Sequence, residues 1–206
     1  IVWVDRADKS LWVVPRDLRD MLKKRLFDKG LPVVLSSATL SAGGDFSYIA
    51  RTLGVENPSH SSVGSFFNYA EQVRIYLAGP FTAEDKNSLF KVKLERLIAL
   101  LHLTKGRALV LTNAPSEVKK LRAGLKDRRL PFNLLWEDRG ERGYLVNRFR
   151  EDISSVLVGS GFWEGIDVPG PALSLLVVWE LPFPPRDPLI EARRYEAASQ
   201  GLDPVT

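Results

Sequence analysis

An α/β fold with a parallel sheet flanked by helices is predicted for most of this chain, on three observations. From Val73 onward, short apolar runs alternate with segments of helical periodicity, as strand–helix–strand crossovers require. The runs Ala108–Leu111 and Val156–Val158 are continuously apolar, as expected of strands buried on both faces. A glycine-rich turn leaves the second run, with glycines at 159, 161, 165 and 170. In α/β domains the loop leaving the carboxyl end of a parallel strand is where phosphates and sugars are handled. These glycines are expected to let the backbone take positive φ and approach a ligand closely.

Composition bounds the rest. The chain has 206 residues, 45% apolar and 26% charged, the balance of a globular protein. No apolar run approaches the ~20 residues of a membrane span, and no basic segment leads into an apolar secretory one. Cysteine is absent, which excludes disulfides and thiolate metal sites within the chain and is compatible with a cytoplasmic location. The net charge of +4 and pI near 9.4 mildly favour an anionic partner.

Taken in order, Leu18, Leu22, Arg25 and Leu26 sit at helical spacing, with Met21 beside them and Gly30 as a stop. Val33–Leu35 is expected to be a buried strand, with Ser36-Ser37-Ala38-Thr39 as its exit loop. Residues 41–72 are rich in Gly, Ser and Asn and are read as a connection, with a helical turn at Tyr48–Leu53. Val73–Leu77 is expected to be a strand. Phe90, Leu94, Leu97, Ile98 and Leu101 mark one face of a helix. After Ala108–Leu111, Asn113 is expected to cap a helix that carries Pro115 in its first turn. Val118, Leu121 and Leu125 form that helix's inner face. Phe132–Trp136 reads as a strand, Tyr144–Phe149 as a short helix, Leu173–Val178 as a further strand and Arg186–Ser199 as a last helix. No repeat or low-complexity tract is visible.

Four ordered stretches carry a family resemblance: VVLSSATLS at 33–41, GRALVLTNA at 106–114, SVLVG at 155–159, and FWEGIDVPG followed by LPFPPRDP, from 162 to 188. Together they resemble the DinG-type helicases, bacterial relatives of the XPD helicases in superfamily 2, from motif III to the region after motif V. The resemblance implies a RecA-like fold of the P-loop NTPase type. On this reading residues 1–40 end a first motor domain, 41–72 connect the two, and 73–206 form a second motor domain without its closing strands. The chain begins without methionine, and is expected to be an excerpt of a longer protein.

The chain has no GxxxxGK[ST] loop and no DExH or DExD box, so it lacks the means to cradle ATP phosphates and hold Mg²⁺ itself. In the family those elements, with the cysteines of an iron–sulfur cluster, precede the equivalent of Ile1. ATP and Mg²⁺ are therefore the implied cofactors, single-stranded DNA is the implied partner, and a monomeric motor without a membrane anchor is the implied form. In such motors ATP draws two RecA-like domains together and hydrolysis releases them. No metal site is expected within this chain.

The resemblance assigns roles residue by residue, each beside a plainer reading. Ser37 and Thr39 would couple the nucleotide site to the neighbouring domain; plainly, they are a polar strand end. Thr112 and Asn113 would hold a DNA phosphate, or simply form a helix cap. Glu164, Gly165 and Asp167 would line the nucleotide, Asp167 accepting from the ribose, since an acceptor-only carboxylate suits a hydroxyl and not a phosphate. Outside the resemblance, Glu164 and Asp167 are a surface pair. Ser160 and Gly161 would face DNA. The family carries a serine where this chain has Gly161, so Ser160 or a backbone N–H would take that contact. Phe162 and Trp163 would stack on bases or wedge the turn into the core. The basic run Lys119, Lys120, Arg122, Lys126, Arg128 and Arg129 is a solvated helix face or a DNA track, and the arginine finger has no match. His60 and His102 are read as structural.

Two other classes compete. A RecA-like module that binds nucleic acid or protein without catalysis is one; a metal-dependent nuclease using Glu164 and Asp167 is the other, for which no third ligand lies nearby in sequence.

Overall fold

The computed structural model describes residues 1–5, 8–15, 17–82, 85–183, 188–199 and 201. They divide into two compact units, Ile1–Ile75 with Pro185–Thr206, and Tyr76–Pro184.

The first unit opens with an antiparallel hairpin, β1 (Val2–Asp5) and β2 (Ser10–Val13). The cross-strand pair Trp3 and Trp12 stacks at 5.8 Å with nearly parallel rings. Helix α1 (Arg19–Arg25) runs into a 3₁₀ turn that Gly30 ends in the left-handed conformation, as the periodicity predicts. Helix α2 (Ser47–Leu53) confirms the turn expected there, and α3 (Tyr69–Gln72) is a single short turn.

Two expected strands are absent. Val33–Leu35 and Val73–Leu77 have no ladder partner among the described residues. Val34 is 88% exposed and Leu77 is 86% exposed. An apolar run becomes a strand only where a neighbour takes up its backbone groups, and neither segment has one here.

The second unit carries the predicted α/β architecture. Helix α4 (Lys86–Leu103) starts at Asp85, whose carboxylate accepts from the N–H groups of Asn87 and Ser88. Strand β3 (Ala108–Leu111), helix α5 (Pro115–Leu125), strand β4 (Leu134–Trp136), helix α6 (Arg142–Glu151) and strands β5 (Val156–Gly159) and β6 (Leu175–Val178) follow. The strands form one parallel sheet in the order β4-β5-β3-β6.

Pleating divides the core. Ala108, Val110, Val156 and Val158 face α4 and α5, meeting Leu94, Leu97, Leu101, Leu121 and Leu125. Leu109, Leu111 and Leu157 face the opposite way, toward Leu145, Val146 and Phe149 of α6 and toward Phe162, Val168 and Ala172 of the glycine-rich loop. That loop is therefore a wall of the core on one side of the sheet. Helix α5 approaches α4 closely at Gly124, where a Cβ would stand 2.8 Å from a Leu94 methyl carbon. His102 packs edge-on against Phe132.

Back in the first unit, α7 (Pro188–Ser199) is the last helix. The expected helix began at Arg186; Pro184–Asp187, within the proline-rich loop, lie outside the described residues.

Candidate functional site

The parallel strands end level with one another. Leu111 lies in register with Gly159 on one side and Val178 on the other, and Trp136 is in register with Val158. Their carboxyl ends therefore deliver Thr112–Asn113, Glu137, Ser160–Asp167 and Trp179–Leu181 to one edge of the sheet, the edge where such folds bind ligands. Two ladder-like bonds extend past the strands, from Thr112 N–H to Gly159 O (3.0 Å) and from Trp179 N–H to Leu111 O (2.9 Å).

The glycines of the loop serve two purposes. Gly165 (φ +69°) and Gly170 (φ +81°) take the left-handed conformation. The positive φ expected at Gly159 and Gly161 is not found, because what those positions require is space. A Cβ on Gly159 would stand 2.4 Å from the Phe162 ring, and one on Gly161 would stand 2.5 Å from Glu137 Oε1.

Phe162 is 1% exposed and lies in the core, its ring 5.3 Å beneath the Arg142 guanidinium. Trp163 is half-buried, and its indole N–H donates to Thr112 O at 2.9 Å. The aromatic pair thus divides: Phe162 wedges the turn, while Trp163 ties it to the neighbouring strand end. Thr112 is itself buried, with its hydroxyl donating to Ala114 O. Asn113 does not cap α5. The cap position is Ala114, with Pro115 starting the helix, and the Asn113 side-chain amide donates to the carbonyl of Leu181.

Glu164, Gly165 and Asp167 are exposed on the outer turn of the loop. Arginines of α6 hold their backbone in place. Arg142 donates to the carbonyls of Gly161 and Glu164, and Arg150 donates through Nε (2.9 Å) and Nη2 to the carbonyl of Asp167. The Asp167 carboxylate has no partner among the described residues, and no group of three metal-ligating side chains occurs among them. Ser37 and Thr39 belong to the other unit, where their hydroxyls lie 3.1 Å apart in a small exposed turn.

Three residues that organise this loop escaped the sequence reading: Glu137, Arg142 and Arg150. The Glu137 carboxylate accepts from Ser160 N–H (2.6 Å), Ser160 Oγ (2.9 Å) and Gly161 N–H (2.9 Å). Next to it, Asp138 pairs with Arg122 of α5 at 3.0 Å. Glu137 directly follows the predicted strand Phe132–Trp136, so its place at the ligand-binding edge could have been inferred from topology. The arginines gave no such signal. In the basic run, Arg122 thus pairs with Asp138, Lys120 with Glu117 and Arg128 with Glu95, so three of its six cations are neutralised locally.

A family model described as the helicase C-terminal domain matches residues 97–206, more than half of the chain. The chain belongs to the helicase C-terminal domain family. Every feature of the edge described above lies within that match. The chain is 34% identical, over its full length, to a protein named "Probable ATP-dependent helicase YpvA" from Bacillus subtilis, covering 32% of that protein. It is 34% identical over 95% of its length to "ATP-dependent DNA helicase YoaA" of Haemophilus influenzae, covering 31% of it. It is 30% identical over 98% of its length to "ATP-dependent helicase DinG" of Mycobacterium tuberculosis, covering 32% of it. The chain thus spans about a third of these relatives, and the helicase C-terminal domain occupies its later half. No described helix is long and apolar enough to cross a membrane.

Proposed function

We propose that this chain is part of an ATP-dependent DNA helicase that moves along single-stranded DNA as a monomeric cytoplasmic motor. It would supply one wall of the ATP cleft and part of the DNA track. Residues 1–40 would close the first motor domain, 41–72 connect it to the second, and 73–206 belong to the second. The observation that carries the reading is the convergence of the sheet's carboxyl-end loops in a chain of the helicase C-terminal domain family.

The residues present suit a nucleotide edge. Asp167 offers an exposed acceptor with no partner among the described residues, as a ribose hydroxyl needs. Gly165, in a left-handed turn beside it, leaves room for close approach, and Glu164 borders the same turn. ATP would supply the free energy for domain closure; Mg²⁺ ligands and any iron–sulfur cluster would come from outside this chain. Asn113, Ser160 and Trp163 line the proposed DNA side. Thr112 acts from beneath, its carbonyl holding the Trp163 indole. Ser37 and Thr39, with paired hydroxyls, are proposed to couple the first domain to the nucleotide.

The test is Asp167→Ala in the full-length protein. The KM for ATP should rise about tenfold, the loss expected for one hydrogen bond to a charged group, while the Kd for single-stranded DNA changes less than twofold. Equal losses in both would remove Asp167 from the nucleotide edge.

A further inference from the structure

The Ser160–Gly161 turn is built like an anion seat. Two consecutive backbone N–H groups and one hydroxyl converge on a single carboxylate, that of Glu137, at 2.6–2.9 Å. Successive N–H groups at a turn form the concave donor sets that bind phosphate oxygens. No cation pairs with Glu137 among the described residues. Neutral donors alone hold it, and the same donors would suit a phosphate oxygen.

We propose that Glu137 is a built-in occupant of a phosphate seat, and that a DNA backbone phosphate binds there only after its carboxylate leaves. The inference rests on the motor reading above and adds to it a competitor within the chain. Two anions cannot share three donors, so occupancy is exclusive.

The surroundings suit such an exchange. The backbone at 137 is held independently of the side chain, because the adjacent Asp138 is fixed to Arg122. Glu137 is half-buried and Ser160 borders solvent, so the carboxylate can swing out through its own side-chain torsions without moving β4. Gly161 lacks the Cβ that would stand 2.5 Å from the Glu137 carboxylate in the seat. Arg142 stays beside the seat with its donors on backbone carbonyls, adding positive potential whichever anion is bound. Closed by Glu137, the seat weakens the grip on DNA; opened, it adds one phosphate contact.

The experiment measures binding of a fluorescent oligo-dT to the full-length protein across a salt series. Glu137→Ala should tighten binding about five- to tenfold at ~0.1 M salt and steepen the log–log salt slope by about 0.7, the increment of one phosphate on a single strand. Glu137→Gln should shift both in the same direction by less. Adding Ser160→Ala to Glu137→Ala should return affinity toward wild type. Should Glu137→Ala fail to fold, the Gln variant decides by the same two readouts. Unchanged affinity and slope, in a wild-type protein that binds oligo-dT, would make Glu137 a brace and overturn the inference while leaving the motor reading intact. Absence of oligo-dT binding in wild type and variants alike would overturn both.

Discussion

Gly159 and Gly106 both sit where a methyl group has no room, but what each would strike differs. At Gly159 the obstacle is the ring of Phe162, the buried aromatic that anchors the loop. At Gly106 it is the backbone carbonyl of Ser154, 2.1 Å from a Cβ, and φ there is +75°. A ring can shift; a backbone carbonyl held in the fold cannot. Gly159→Ala should therefore cost about 1–3 kcal/mol through overpacking. Gly106→Ala should cost about 2–5 kcal/mol, since left-handed strain adds to the clash. Urea denaturation of the two variants checks the order, and a larger loss at Gly159 would contradict it. At this scale the sequence was readable where a residue type limits its own chemistry: Asp167 and Glu164 are exposed carboxylates on the loop. It was silent on Arg142 and Arg150, whose partners lie 17–22 residues away. Such contacts leave no local spacing to read.

Helix α4 and helix α6 begin the same way, with a carboxylate taking up N–H groups that a helix start leaves unpaired. Asp85 is held below its ordinary value of 3.8, chiefly by the Ser88 N–H and then by that of Asn87. Glu141 is held below its ordinary 4.5 by the N–H groups of Gly143 and Tyr144. Both groups are more acidic folded than unfolded, so their stabilisation is fully present above the ordinary values. It is lost as pH falls through the lower folded values. Thermal stability should thus be level near neutrality and decline below about pH 4. The double variant Asp85→Asn, Glu141→Gln should flatten that decline; an unchanged acid limb would show that other groups set it. The strands of the second unit were legible as short apolar runs alternating with segments of helical periodicity. Val33–Leu35 looked similar, yet is exposed. A strand depends on its neighbours, whereas a helix satisfies its own backbone, which is why the helical faces were placed more securely.

Across the whole molecule, the parallel sheet followed from strand–helix alternation, and the family followed from ordered motifs, three of which lie within the helicase C-terminal domain match. Contacts group α7 with the first unit, away in sequence from its other members. Grouping of that kind depends on three-dimensional contacts that neither composition nor periodicity encodes. The central claim is that these carboxyl-end loops serve a motor and not a passive binding module. The most direct measurement is ATP hydrolysis by the full-length protein with and without single-stranded DNA. A motor should hydrolyse ATP slowly alone and at least tenfold faster with DNA, with Asp167→Ala raising the ATP concentration required. Tight binding of single-stranded DNA with no hydrolysis under either condition would contradict the claim and identify a binding module.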